Sequence, residues 1–152
     1  MSLFAQQVRS CHGTIPFWEY TGVAGAGKST IIEFLWRLTG RDNYEGEDPE
    51  KMGFVALART MMQASNIPAV MLEGDRDENN HRKRFSMDQI KTLFRGQSPY
   101  GRVIKNNGIE TDNDPFLGTI VISKNAAVEG APQIISRIVK CTASKVHFNN
   151  ET

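Results

Sequence analysis

Cysteine is scarce in this chain. Cys11 and Cys141 are its only two, far apart and without the spacing of a metal site, as expected of unpaired thiols in a reducing cytoplasm. Long apolar runs are missing as well. None approaches the ~20 residues that a membrane-spanning helix needs. No basic start, apolar stretch and small-residue cleavage site marks a secretory leader, so the expectation is a cytoplasmic protein with no membrane partner. Internal repeats, low-complexity tracts and interdomain linkers do not occur in the 152 residues. The chain therefore reads as one domain, residues 1–152, large enough for a single substantial core. With 39% hydrophobic and 23% charged residues it has ordinary globular composition.

The net charge of +1 conceals an uneven distribution. Residues 79–108 carry Arg82, Lys83, Arg84, Lys91, Arg95, Arg102 and Lys105 against a single acid, Asp88. Residues 42–50 are acidic instead, through Asp42, Glu45, Glu47, Asp48 and Glu50. Such asymmetry fits either a solvated face or contact with a polyanion.

Hydrophobic spacing predicts alternating strands and helices. Residues 15–20 form a short buried strand. Ile31, Ile32, Phe34, Leu35 and Leu38 give a helix over 29–38 that stops at Gly40. Asp48-Pro49 has the form of an N-cap with proline in the first turn. It introduces a second helix with Phe54, Val55, Ala58, Met61 and Met62 on one face. Residues 69–72 form a buried strand. Ser86 and Gln89 make a capping box for a third helix carrying Ile90, Leu93 and Phe94, ended by Gly96. Residues 99–104 and the chain from Glu110 onward flank the turn-rich 105–108, a hairpin pattern. Residues 117–123 form a further strand, and Ile134, Ile135, Ile138 and Val139 mark a last helix. Strands alternating with helices imply an α/β domain with a mostly parallel central sheet flanked by helices, and with the hairpin as an insertion.

Between the first strand and the first helix stands "TGVAGAGKST", residues 21–30. Gly22-Val23-Ala24-Gly25-Ala26-Gly27-Lys28-Ser29, with Thr30 behind it, matches G-x-x-x-x-G-K-[ST] at every fixed position. The chemistry explains the residue types. Glycines let successive N–H groups turn inward on phosphate oxygens, where side chains would block the approach. The following helix offers its positive end to the same phosphates. Lys28 adds a full charge at the β- and γ-phosphates, and the Ser29 hydroxyl is a Mg²⁺ ligand. The dinucleotide fingerprint fails here, because residues 25–30 lack its third glycine. The cofactors expected are ATP and Mg²⁺. A phosphate loop also needs a carboxylate at a neighbouring strand end, to hold the metal and orient water. "AVMLEGD", residues 69–75, supplies Glu73 and Asp75 directly after an apolar run.

Beyond these motifs, residues 90–125, "IKTLFRGQSPYGRVIKNNGIETDNDPFLGTIVISKN", resemble superfamily 3 helicases, a compact AAA+ branch of P-loop NTPases in viral, phage and mobile-element replication. The stretch 17–139 is similar to the ATPase module attached to TOPRIM-type primases. The resemblance implies an AAA+-like fold and an ATP-hydrolysing motor module that acts on single-stranded DNA as a ring of identical subunits. It implies that Asn125 is the sensor that orients the attacking water, and that Arg137 in "ISRIV" is an arginine finger reaching the neighbouring subunit. It also implies that Lys105, at the hairpin tip, and Arg102, on its arm, touch DNA phosphates. Lys28, Glu73, Asp75, Asn125 and Arg137 are then the catalytic set, with Ser29 and Glu73 on the metal. Two features depart from the family. Gly74 separates the two acids, which leaves open which one acts on water. Little chain precedes residue 17, where relatives carry an oligomerisation or primase domain, so the chain reads as one module of a longer protein or as a stand-alone remnant. The alternatives are a small-molecule P-loop kinase, with residues 82–84 as a lid, and a nucleotide-binding module with little turnover.

Overall fold

The computed structural model describes residues 2–42, 46–49, 51–72, 88, 91–99, 102–103, 111–112, 114–128 and 130–145. Its strands are β1 (Phe17–Gly22), β2 (Ala69–Leu72), β3 (Arg102–Val103), β4 (Thr111–Asp112), β5 (Ile120–Lys124) and β6 (Ile138–Ala143). Its α-helices are α1 (Ala5–His12), α2 (Lys28–Leu38), α3 (Phe54–Gln63) and α4 (Pro132–Ile135). Four strands make one sheet in the order β2-β5-β1-β6, and every pairing in it is parallel. The molecule is therefore an α/β domain built on a parallel sheet, as the alternation of patterns predicts.

Side-chain alternation along the strands divides the core in two. Phe17, Met71, Ile120 and Ile122 face Leu57 and Met61 of α3, together with Leu93 and Phe116. Val70 and Val121, from the opposite face, pack on Ile32 and Trp36 of α2, with Trp18 and Tyr20 beside them. β2 and β5 are almost continuously buried because both of their faces are covered. β6 lies at the edge and is only half-buried at best. Gly46 and Glu47 screen the other edge: Glu47 donates its N–H to Val70 O at 2.8 Å and accepts that of Leu72 at 2.8 Å. Part of the acidic stretch thus covers the outer side of β2. Among the described residues no helix is long and apolar enough to cross a membrane.

Several expectations need correcting. The helix after the glycine loop buries Lys28, Ile32 and Trp36, spaced by four, while Ile31, Phe34, Leu35 and Leu38 remain exposed. Asp48-Pro49 caps no helix. Asp48 O accepts the Lys51 N–H in a turn, and α3 begins only at Phe54, after Gly53 in extended conformation. On α3 the buried face is Leu57, Ala58 and Met61, with Val55 outside. The largest difference follows Pro132. The predicted last helix stops after Ile135, and Ile138 and Val139 belong to β6, paired with Phe17 and Trp18. The β-branched, alternating run Ile138–Ala143 finds a ladder on β1, and this outweighs a helical spacing of four apolar residues.

Of the third predicted helix, the described part is a 3₁₀ turn, Leu93–Arg95, stopped by Gly96 in the left-handed conformation as expected; its capping residues lie outside the described residues. The hairpin arms do pair, antiparallel, with Arg102 opposite Asp112 and Val103 opposite Thr111. Lys105 and the rest of the tip lie outside the described residues. The N-terminal segment is helical, and α1 is fastened by Arg9. Its guanidinium donates to Leu93 O (3.1 Å), Phe94 O (3.4 Å), Phe116 O (3.0 Å) and Gly118 O (2.6 Å), and stacks 5.6 Å from the Phe116 ring. Burial lowers the pKa of this guanidinium from its ordinary value.

Candidate phosphate-binding site

The glycine loop leaves β1 at Gly22 and enters α2 at Lys28. Gly25 (φ 74°) and Gly27 (φ 81°) hold left-handed conformations that a side chain would strain. The Ala26 N–H closes the turn on Val23 O at 3.2 Å, and Ile31 N–H makes an early helical bond to Gly27 O at 3.1 Å. Ser29 and Thr30 lie exposed on the first turn of α2.

Lys28 is only 9% exposed although it begins a helix. Its side chain folds back across the loop, and Nζ donates to Gly22 O (2.5 Å), Val23 O (3.2 Å) and Asn125 Oδ1 (3.0 Å). Sheet order explains how a residue so distant in sequence reaches it. β5 lies between β1 and β2, parallel to both, with Thr21 opposite Lys124 and Leu72 opposite Ser123. The carboxyl ends of the three strands thus share one edge, where parallel α/β sheets hold their ligands. Asn125, first after β5, faces the loop. Glu73 and Asp75 follow Leu72 in sequence and lie outside the described residues. Among the described residues no three His, Cys, Asp or Glu side chains gather as metal ligands.

The donor set suits a polyphosphate. The ammonium of Lys28 is held by two main-chain carbonyls and one carboxamide, neutral acceptors that phosphate oxygens outmatch electrostatically. Around it are glycines without side chains, the first turn of an eleven-residue helix and the hydroxyl of Ser29. The shallow cleft between α2 and the β2–β5 face, lined by Trp36, Pro68 and Val121, is apolar and offers nothing comparable.

Arg137 is not part of this cluster. It immediately precedes β6, so it lies at the amino edge of the sheet. Six residue steps along β6 take it to Ala143 beside Gly22, about 20 Å at ~3.3 Å per residue. Its guanidinium donates to Lys91 O at 2.9 Å and stacks 4.9 Å from the Phe94 ring. Of Arg102, the backbone pairing in β3 is described.

Two residues escaped the sequence reading. Glu19, in the middle of β1, is fully buried. Its Oε1 accepts the Val128 N–H and so ties down the loop carrying Asn125, while Oε2 has no hydrogen-bond partner among the described residues. A lone acid inside the buried strand "FWEYTG" was the available signal. The other is Lys145, whose ammonium lies beside Gly25; no local pattern marks it. No protein-family model matches the chain, and no curated protein is significantly similar to it.

Proposed function

We propose that this chain is a P-loop ATPase module of the AAA+ type, the motor of a phage or mobile-element DNA replication protein related to superfamily 3 helicases. The observation that carries the reading is the meeting of Lys28 and Asn125 at the carboxyl edge of the sheet, 3.0 Å apart. In this reading Lys28 exchanges its carbonyl partners for the β- and γ-phosphates of ATP, and the N–H groups of residues 24–29 enclose the same oxygens. Asn125, released from Lys28, turns its carboxamide to the water that attacks the γ-phosphate. Ser29 and Glu73 would hold Mg²⁺, which when bound would supply neutralisation of charge on the transferring phosphoryl group. Glu73 or Asp75 orients the water.

The amino-edge position of Arg137 keeps it from its own loop and is compatible with a finger offered to the next subunit of a ring. The paired arms of the hairpin suit a loop that presents Lys105 and Arg102 to single-stranded DNA, a contact governed by charge and salt. A second reading is favoured by the bonds of Arg137 to Lys91 and Phe94. If they are purely structural, each chain is a self-contained nucleotide site, as in a small-molecule kinase or a binding module with little turnover.

The test is ATP hydrolysis across protein concentrations, with and without single-stranded DNA. The motor reading expects turnover per chain to rise as rings assemble and to respond to DNA. Turnover strictly proportional to protein and indifferent to DNA overturns it in favour of the self-contained site. Absence of ATP affinity in calorimetry overturns both.

A further inference from the structure

The edge strand β6 does more than close the sheet. It pairs with β1 to the last residue, Gly22 opposite Ala143. There the two backbones come so close that a Cβ at Gly22 would collide with Ala143 O. The end of β6 is therefore fixed to the root of the glycine loop. Two residues on, Lys145 reaches over the loop itself. Its Cε and Nζ lie 3.7 and 3.8 Å from the point a Cβ would occupy on Gly25, one of the glycines with positive φ. Lys28 approaches the loop from within; Lys145 approaches from the solvent side, on an exposed stem.

We propose that Lys145 is a second phosphate-binding residue, which contacts the polyphosphate of a nucleoside triphosphate from the same chain as the loop. The proposal rests on the nucleotide-site reading above and adds to it a residue outside the G-x-x-x-x-G-K-[ST] motif. Two like charges beside one loop oppose each other, and a multiply charged anion between them relieves that opposition. Lys28 is already surrounded by neutral oxygens and defines where the anion sits. The ammonium of Lys145, on its flexible stem, then closes over the exposed side of the same anion. It supplies positive charge in cis, whereas Arg137 is tied to Lys91 and Phe94 at the other edge of the sheet. Because the junction of Gly22 and Ala143 is backbone against backbone, the strand pairing itself brings Lys145 to the loop.

The experiment is calorimetric titration of the 152-residue chain with ATP and Mg²⁺, comparing wild type, Lys145→Ala, Lys145→Arg and Lys28→Ala, each first checked by thermal melting. Removal of one charged contact should weaken ATP binding about tenfold in Lys145→Ala, with Lys145→Arg close to wild type because the charge is retained. Melting temperatures should not change, since the side chain is exposed. Wild-type affinity in Lys145→Ala, beside a large loss in Lys28→Ala, overturns the role of Lys145 and leaves the nucleotide site standing. Unchanged affinity in both variants overturns the nucleotide site and this proposal together.

Discussion

Arg9 and Lys28 both gather main-chain carbonyls around a cation, at opposite edges of the same sheet. Arg9 has four such acceptors and an aromatic face, drawn from residues 93–94 and 116–118 just before β5. Its planar fork spans carbonyls of two separate segments, and α1 is held by it. Lys28 has two carbonyls and a carboxamide, and both carbonyls belong to the start of a loop built from glycine and alanine. A guanidinium matched to four fixed oxygens is a fastening. An ammonium resting on three neutral oxygens beside a helix N-terminus can exchange them for a stronger, anionic acceptor. The same elementary interaction thus serves the fold at the amino edge and, in the reading proposed here, chemistry at the carboxyl edge.

The most severe way to test that contrast is Lys28→Ala, which should abolish measurable ATP binding or turnover while the melting temperature barely moves. A variant that unfolds but keeps its nucleotide affinity would make Lys28 a fastening too. Next in size is Arg137→Ala. As a finger it should lower kcat by roughly 10³–10⁵ with ATP affinity kept, and mixing with Lys28→Ala should restore part of the activity through hybrid interfaces. Unaltered kcat, with only a modest loss of stability from the missing Phe94 and Lys91 contacts, would place it with Arg9.

Arg9→Met should lower unfolding free energy by about 3 kcal/mol, since several carbonyls lose a charged donor at once. ATP affinity of the folded fraction should stay at wild type; urea denaturation and calorimetry on the same sample separate the two. The smallest effect concerns Tyr20, near α2. Burial raises its phenol above the ordinary value of 10.0, and the charge of Cys141 adds to the rise. The folded state therefore holds this proton more tightly than the unfolded chain. Its contribution to stability is complete below the unfolded value and is lost as pH rises through the folded one. Tyr20→Phe should flatten the fall in stability at about pH 9–11, and the difference will be shallow because the ring is only half-buried. An identical slope in both proteins would remove the phenol from the account.

Legibility in the sequence followed how local each cause was. The strand–loop–helix course of residues 21–30 was legible because its causes, the glycines and the helix start, lie within ten consecutive positions. The bounds of β2 were also legible, as an apolar run between turn residues. Misreadings arose where distant partners decided the outcome. Ile138 and Val139 have a helical spacing relative to Ile134 and Ile135, but β1 was waiting more than a hundred residues upstream to pair with them. Leu35 and Leu38 fit an apolar stripe, yet α2 meets the sheet through Ile32 and Trp36. Arg9 and Lys145 act only through contacts that the fold creates, and nothing beside them in the chain announces those contacts; Glu19 was marked only as a lone acid in an otherwise buried strand.

Glu19 shows what such a contact costs. A carboxyl group sealed in the sheet with one oxygen unpartnered among the described residues is a burden on the fold, and an apolar side chain of similar size would fill the same space more comfortably. What it provides is anchorage of Val128, hence of the loop that sets Asn125 against Lys28. Selection for heat resistance alone would favour replacing Glu19, and the survivors would be sturdier proteins with a loosely held Asn125. In the ATPase reading proposed above, selection for turnover would retain the acid, and position 19 would be where the interests of durability and of catalysis part.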